Sequence, residues 1–323
     1  MAVAGKEALQ MLTSAGCECR TPDRTGPLTE ADLLRLLPGC DAVLASVEPY
    51  TAALLANSGI SRLKIISRWG VGFDAVNLTA ATENGILVTN TPGLLDEAVA
   101  DYTFALLLAL ARRIADGQTL LRAGEWRASW GWDVAGKTLG LVGCGRIARA
   151  VARRAAGFNM RIVAVDPTPD DEGRALGIEF VTLATLLAQS DFVSLHAALT
   201  PGSRGLIGEP QLRAMKPSAL LINAGRGALL DENALAHALR ESWIAGAALD
   251  VFCEEPLPAD HPFRSTPNLL LTPHQASYAG DTGARVSLTA TQAILDAMQG
   301  RQPRFVVNAP VCALPHCRVS FHA

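Results

Sequence analysis

Apolar residues along this chain follow two alternating rhythms. Short unbroken runs, DAVLA, KIIS, ILVTN, TLGLVG, RIVAVD, DFVSLH, ALLINA, IAGAALDV and NLLLTPH, are bounded by turn-forming residues and read as buried strands. Between them apolar positions return every three or four residues. GKEALQMLTSAG closes at Gly16, TEADLLRLL has Thr29 as its cap, and TAALLANSG ends in Gly59. LTAATENG, ARAVARRAAGF, TLATLLAQS, EPQLRAM and DENALAHALRES follow the same rhythm, and all of these read as helices. CECR is expected as a further strand. Strands alternating with helices imply a parallel sheet covered on both faces, and six strands from Thr138 to His274 suffice for a doubly wound domain. Asp96–Gly117 is apolar nearly all round, which predicts one long helix buried under the sheet or against another subunit. WRASWGWDVAG then places three tryptophans in a loop. Tyr278–Gly300 reads as a long helix returning to the first domain, and the tail VCALPHCRVSFHA, without a pattern, as extension or disorder. The expected layout is a first domain over 1–95, a dinucleotide domain inserted at 96–276, the remainder of the first domain over 277–310, and a tail at 311–323.

The stretch Leu139–Ala148, LGLVGCGRIA, adds chemistry to this pattern. A buried strand ends at Gly143, the turn GCGRIA opens a helix, and RIVAVD follows as a second strand. In that context G-x-G-x-x-A reads as a dinucleotide site. Gly143 allows the tight turn, and Gly145 keeps no side chain between a pyrophosphate and the amides of Arg146 and Ile147 at the helix N-terminus. Ala148, in the third position, is small enough for close helix–strand packing. Asp166 ends the second strand about 20 residues on, where a carboxylate accepts the ribose hydroxyls. Its charge repels a 2′-phosphate, and PTPDDEG holds no Lys or Arg, so NAD is expected in preference to NADP.

Composition narrows the classes. A chain of 323 residues, 49% hydrophobic and 18% charged, is long enough for two domains with a substantial core. A net charge of −3 argues against a nucleic-acid or membrane-surface partner. The seven cysteines form no metal or disulfide framework, which suits a reducing cytoplasm, and no metal site is expected. The most apolar helix runs only about ten residues between charges, too short for a bilayer, and no secretion signal is visible.

Three charged residues stand at consecutive strand ends beyond the cofactor unit: Arg226 after ALLINAG, Glu255 after AALDVFCE, and His274 after NLLLTP. Loops at the carboxyl ends of parallel strands converge on a ligand crevice. An imidazole suits removal of a hydroxyl proton while hydride leaves the same carbon. A neighbouring carboxylate orients the ring and favours its charged form, and a guanidinium offers a planar fork to a carboxylate or carbonyl. Asp250, ending GAALDV, is placed to accept a hydrogen bond from a nicotinamide carboxamide.

Taken together, RWGVGFD, VTNTPG with AVAD, GKTLGLVGCGRIA, DFVSLHAALT, LLINAGRGALLDENAL, AALDVFCEEPLP and LTPH resemble the D-isomer-specific 2-hydroxyacid dehydrogenases over nearly the whole chain. The resemblance implies an α/β architecture, a Rossmann dinucleotide-binding domain inserted into a smaller flavodoxin-like substrate domain. It also implies a homodimer built on the helix near Asp96–Gly117 and NAD-linked chemistry on a 2-hydroxy or 2-oxo acid. By that resemblance His274 is catalytic, Glu255 is the acid that pairs with it, and Arg226 binds substrate. The backbone at Val71 and Gly72 receives the substrate carboxylate, and His196 lines the cofactor. Phosphoglycerate dehydrogenases and glyoxylate or hydroxypyruvate reductases are the expected branch. Glu48, where a basic residue is common, weakens the phosphoglycerate reading, although Arg68 remains a candidate for a phosphate or carboxylate. The chain ends soon after its last helix, so a serine-sensing regulatory domain is not expected. Only Met1–Ala4 is available for the strand that precedes the first helix in relatives. Formate oxidation is disfavoured by Glu255, where such enzymes carry Gln. An NAD(H)-sensing regulator with little turnover is the reading from another class.

Overall fold

The computed structural model describes residues 5–23 and 26–322. The chain forms two compact units, Met1–Leu95 with Tyr278–Ala323, and Asp96–Ser277. The strand sought at Met1–Ala4 lies outside the described residues.

In the first unit α1 (Lys6–Ser14) and α2 (Glu30–Leu36) precede β1 (Ala42–Ala45). Then follow α3 (Ala52–Leu55), β2 (Ile65–Arg68), α4 (Leu78–Glu83) and β3 (Leu87–Thr89). The strands make a parallel sheet in the order β1-β2-β3. Polar side chains set the helix starts. Thr29 and Asp32 form a reciprocal capping box on α2, and Thr51 and Asn77 accept from the first turns of α3 and α4. Cys17–Arg20 does not form the expected strand. Its half-buried cysteines alternate with exposed charges as in a strand, but a four-residue alternation is a weak signal, and this backbone joins neither edge of the sheet.

The second unit opens with α5 (Asp96–Ala111), where the expected single helix ends early. Arg113 takes a left-handed φ of 51°, and α6 (Ile114–Arg122) starts a new direction. The physical reason lies in the paired arginines after Ala111. Arg113 turns out to meet Asp116 at 2.8 Å and Asn268 at 3.3 Å, while the Trp132 amide takes the Ala111 carbonyl at 2.8 Å. The strands are β4 (Thr138–Val142), β5 (Arg161–Val165), β6 (Glu179–Phe180), β7 (Phe192–Leu195), β8 (Leu220–Asn223), β9 (Gly246–Leu249) and β10 (Leu269–Leu271). They form one parallel sheet in the order β10-β9-β8-β7-β4-β5-β6. This is seven strands where six were expected, the addition being the two-residue edge strand β6. The helices between them are α7 (Arg146–Ala156), α8 (Asp171–Ala175), α9 (Leu183–Gln189), α10 (Glu209–Arg213) and α11 (Glu232–Arg240).

Near-continuous apolar strands need cover on both faces. Phe104 and Leu107 of α5 pack with Val151 and Ala155 of α7 over Leu139 and Leu141. On the opposite face Leu186 and Leu187 of α9 join Leu235 and Leu239 of α11 over Val163 and Leu221. A Cβ at Gly140 would lie 2.6 Å from Leu186 Cδ2, so the glycine lets α9 sit against β4.

The chain returns to the first unit as α12 (Gly280–Met298). Ile294 and Ala297 of this helix pack with Ile65, Leu87, Val311 and Val319, covering the face of the small sheet opposite Leu54, Ile66 and Val88. The tail is an ordered part of this unit, contrary to the pattern-based expectation. Val311 and Val319 are buried, and the Arg318 guanidinium donates to the carbonyls of Ile60 and Leu63 at 3.0 Å each. Among the described residues no helix is long and apolar enough to cross a membrane.

Candidate active site

Parallel strands of one sheet bring their carboxyl ends to one edge. In the second unit that edge carries, in order, His274 after β10, Asp250 after β9, Arg226 after β8, His196 after β7, the glycine turn after β4, and Asp166 after β5. At about 4.8 Å between strands the row spans about 24 Å, room for a dinucleotide and a small molecule side by side. The strand order reverses between β4 and β7, which is the switch point where open α/β sheets bind ligands.

His274 Nδ1 and Glu255 Oε2 are 2.6 Å apart, and Glu255 Oε1 accepts from the Phe252 amide at 2.9 Å. The carboxylate is thus fixed at both oxygens and holds the ring through Nδ1, leaving Nε2 for other work. His274 has a left-handed φ of 49°, an uncommon state for a side-chain-bearing residue. Its amide donates to the Asp250 carbonyl at 2.8 Å. Asp250, expected to meet a nicotinamide carboxamide, is fully buried and already accepts three hydrogen bonds from its own chain. They come from Thr272 Oγ1 at 2.6 Å, Gln275 N at 3.0 Å and Ala276 N at 2.8 Å. Its structural work is to tie down the loop that carries His274.

Arg226 is half-buried in the turn after β8, with Nη1 donating to the Gly225 carbonyl at 2.8 Å. Two residues that the sequence pattern did not single out hold that turn. Buried Asn223 accepts from Gly225 N at 3.0 Å and donates to the Arg226 carbonyl at 2.9 Å. Gly227 lies so close to the chain after β9 that a Cβ there would be 2.0 Å from the Phe252 carbonyl carbon. Phe252 is also the residue that anchors Glu255, so the Arg226 turn and the Glu255 loop meet at one residue. An Asn ending an apolar strand just before Gly-Arg-Gly was the available signal.

The glycine turn fits a dinucleotide. Gly143 has φ +90°, and a Cβ there would be 2.6 Å from Ala197 N, so the turn packs directly on the chain after β7. Gly145 begins α7 with no side-chain cap, and a Cβ on it would meet nothing within 4 Å. That open space in front of the helix amides is the cradle a pyrophosphate needs. Arg146 is exposed and Ile147 half-buried at the first turn of α7. Asp166 Oδ2 accepts from the Cys144 amide at 2.7 Å, and Oδ1 from Thr168 N at 2.8 Å. Burial raises the Asp166 carboxyl, but these hydrogen bonds and the charge of Arg149 outweigh it and hold the group below its ordinary value. His196 Nε2 lies 2.9 Å from Ser194 Oγ, and burial drives this imidazole down to about 4, so the ring is neutral.

In the first unit, the turn after β2 carries Val71 and Gly72, both half-buried. Gly70 pairs with Thr91 through its amide and carbonyl at 3.0 Å each, and Asn90 Nδ2 donates to the Val71 carbonyl at 2.8 Å. Neither the Val71 nor the Gly72 amide donates to another group among the described residues. Arg68, a candidate for reaching a substrate anion, is only 7% exposed and donates to the Trp69 carbonyl at 2.7 Å. Its guanidinium underlies the turn, because β2 is buried along its whole length. Among the described residues no group of three or more His, Cys, Asp or Glu side chains is arranged to hold a metal ion.

Comparison with known proteins bears on the family and the fold. Residues 104–276 match the family described as D-isomer specific 2-hydroxyacid dehydrogenase, NAD binding domain. The chain is 42% identical over 293 residues to a glyoxylate reductase of Korarchaeum cryptofilum, covering 88% of each chain. It is 43% identical over 290 residues to one of Thermococcus litoralis, covering 86% of this chain and 87% of the other. A crystal structure of a Thermus thermophilus protein superposes with a TM-score of 0.86 at 42% identity, covering 94% of this chain and 97% of that one. The inserted dinucleotide unit, its glycine turn and these matches together show that the chain belongs to the D-isomer specific 2-hydroxyacid dehydrogenase family, NAD-dependent oxidoreductases of 2-hydroxy acids.

Proposed function

We propose that the protein reduces a small 2-oxo acid of the glyoxylate class to its 2-hydroxy acid with NADH, and runs the reverse oxidation with NAD. The observation that carries the reading is the 2.6 Å contact of His274 Nδ1 with Glu255, on a sheet edge shared with Arg226 and the glycine turn. His274 Nε2 gives a proton to the carbonyl oxygen in reduction and takes it from the hydroxyl in oxidation. Glu255 keeps Nδ1 as the bonded nitrogen and offsets the charge the ring carries when protonated. Arg226 presents its fork to the substrate carboxylate and polarises the carbonyl. Val71 and Gly72, in the first unit, offer backbone amides suited to a carboxylate. Gly143, Gly145, Arg146 and Ile147 hold the pyrophosphate, Asp166 the adenosine ribose, and His196 lines the cofactor as a neutral ring. The bound nicotinamide supplies hydride in reduction and accepts it in oxidation.

A substrate without a phosphate is favoured. Glu48, in the turn after β1, accepts from the Ser46 amide at 2.6 Å, which fixes a carboxyl group on that loop where a phosphate would call for a basic residue. The relatives quoted above are glyoxylate reductases, which favours that substrate class. We assign a homodimer to the surface around α6 and the following loop, where Ile114 and Leu121 are 57% and 60% exposed and Trp126 and Trp130 94% and 98%. All seven cysteines are free thiols, as suits the cytoplasm.

The test is a screen of glyoxylate, hydroxypyruvate, 3-phosphohydroxypyruvate and branched 2-oxo acids with NADH. Turnover is expected on glyoxylate or hydroxypyruvate, with 3-phosphohydroxypyruvate poorer. Tight NADH binding without turnover on any of them would replace this reading with a cofactor sensor.

A further inference from the structure

The adenosine end of the cradle holds a cation that the assigned chemistry does not use. Arg149, one turn into α7, donates from Nε to the Cys144 carbonyl at 3.2 Å, from Nη1 to Glu172 and from Nη2 to Asp170. The backbone of Cys144 is therefore gripped on both sides, its amide by Asp166 and its carbonyl by Arg149. The Arg149 side chain is 18% exposed, so the guanidinium is largely enclosed by these partners. Two carboxylates, Asp170 and Glu172, pair with this guanidinium, and Asp166 feels its charge without bonding to it. A 2′-phosphate carries a charge of about −1.5 to −2; it would compete with the first two for the guanidinium and be repelled by all three.

We propose that Arg149 is a latent receptor for the 2′-phosphate of NADP, kept out of use by Asp170 and Glu172, so that three carboxylates together set the preference for NAD. This rests on the reading of the glycine turn as the NAD site, and it assigns selectivity to residues beyond Asp166. The two acids differ in their other work. Asp170 Oδ1 also caps α8 through the Gly173 amide at 2.9 Å, whereas Glu172 is 79% exposed in its side chain. Removing Asp166 alone eliminates one repulsive charge but leaves the guanidinium saturated. Removing its two partners as well turns the same guanidinium toward a phosphate, for which Arg geometry is suited.

The experiment measures direct binding of NADH, NADPH and adenosine 2′,5′-bisphosphate by calorimetry, independent of turnover. It uses the unmodified protein, Asp166→Ser, the triple variant Asp166→Ser/Asp170→Asn/Glu172→Gln, and the triple variant with Arg149→Met added. The triple variant is expected to bind NADPH and the bisphosphate at least about tenfold more tightly than Asp166→Ser, the effect of gaining one charge-assisted contact. Arg149→Met is expected to abolish that gain. Equal NADPH affinity in Asp166→Ser and the triple variant would overturn the proposal, as would a gain that survives Arg149→Met. Should the triple variant not fold, Asp166→Ser/Glu172→Gln, with and without Arg149→Met, replaces it and is read in the same way, since Glu172 caps no helix. Failure of the unmodified protein to bind NADH would instead count against the cofactor reading itself.

Discussion

At the scale of single residues, chemistry depends on what each side chain is bonded to. His274 is held through Nδ1 by a carboxylate that is itself held by a backbone amide, so the ring is oriented before any ligand arrives. His274→Asn is expected to lower kcat by about 10²–10⁴-fold while NADH binding persists, as for a lost acid–base group. Steady-state kinetics with calorimetric NADH titration checks this, and undiminished turnover would remove His274 from its role. His196 differs. Its folded-state value of about 4 lies below the ordinary histidine value of 6.5, so the unfolded chain binds the extra proton between those limits. The stability this group contributes is therefore full above about pH 6.5 and is lost as pH falls toward 4. Urea midpoints should drop between pH 7 and pH 5, and the drop should be smaller in His196→Gln; an identical slope in both would assign the pH dependence elsewhere. His274, Glu255 and Arg226 could be named as candidates because each is a chemically loaded residue beyond an apolar run. Asn223 carried a signal only in its place at the end of an apolar strand, and its work, two hydrogen bonds inside the following turn, is not described by sequence spacing.

At the scale of elements, strands and caps were the readable part and close approaches the hidden part. Buried runs such as TLGLV and LLIN form strands where their apolar length predicts them, and Thr29 caps α2 as its position suggests. Thr29→Ala should cost about 1 kcal/mol through loss of the capping box, measurable as a lower urea midpoint. The break after α5 was not read from the sequence, because Arg112 and Arg113, where the apolar run stops, are as compatible with a continuing helix as with its end. What ends the helix is Arg113 reaching Asp116 and Asn268, the second of them 155 residues away. Gly227 shows the same limit. A methyl group there would lie 2.0 Å from a backbone carbon of Phe252, and backbone cannot step aside. Gly227→Ala is expected to destabilise the unit by about 1–3 kcal/mol, as overpacking does. By shifting the Arg226 turn it should also raise KM for the 2-oxo acid more than it changes NADH affinity. A variant with unaltered melting temperature and KM would show that the contact has no such role.

At the scale of the whole molecule, one chain builds two α/β units, the second interrupting the first. The exposed Ile114, Leu121, Trp126 and Trp130 belong to the second unit and are the residues the proposed dimer must cover. Sedimentation equilibrium should give twice the chain mass, and Leu121→Asp with Ile114→Asp should shift it toward monomer without unfolding. A monomer in the unmodified protein would end that assignment. The amino-acid sequence by itself determined the alternation of elements, the glycine turn and the charged residues at strand ends, because these are local patterns of apolarity, glycine and charge. Only the tertiary structure decided how the tail is used, where the long helix breaks, and which acids occupy Arg149. Each of those outcomes turns on a contact between segments far apart in the chain, and no local pattern carries its partner's position.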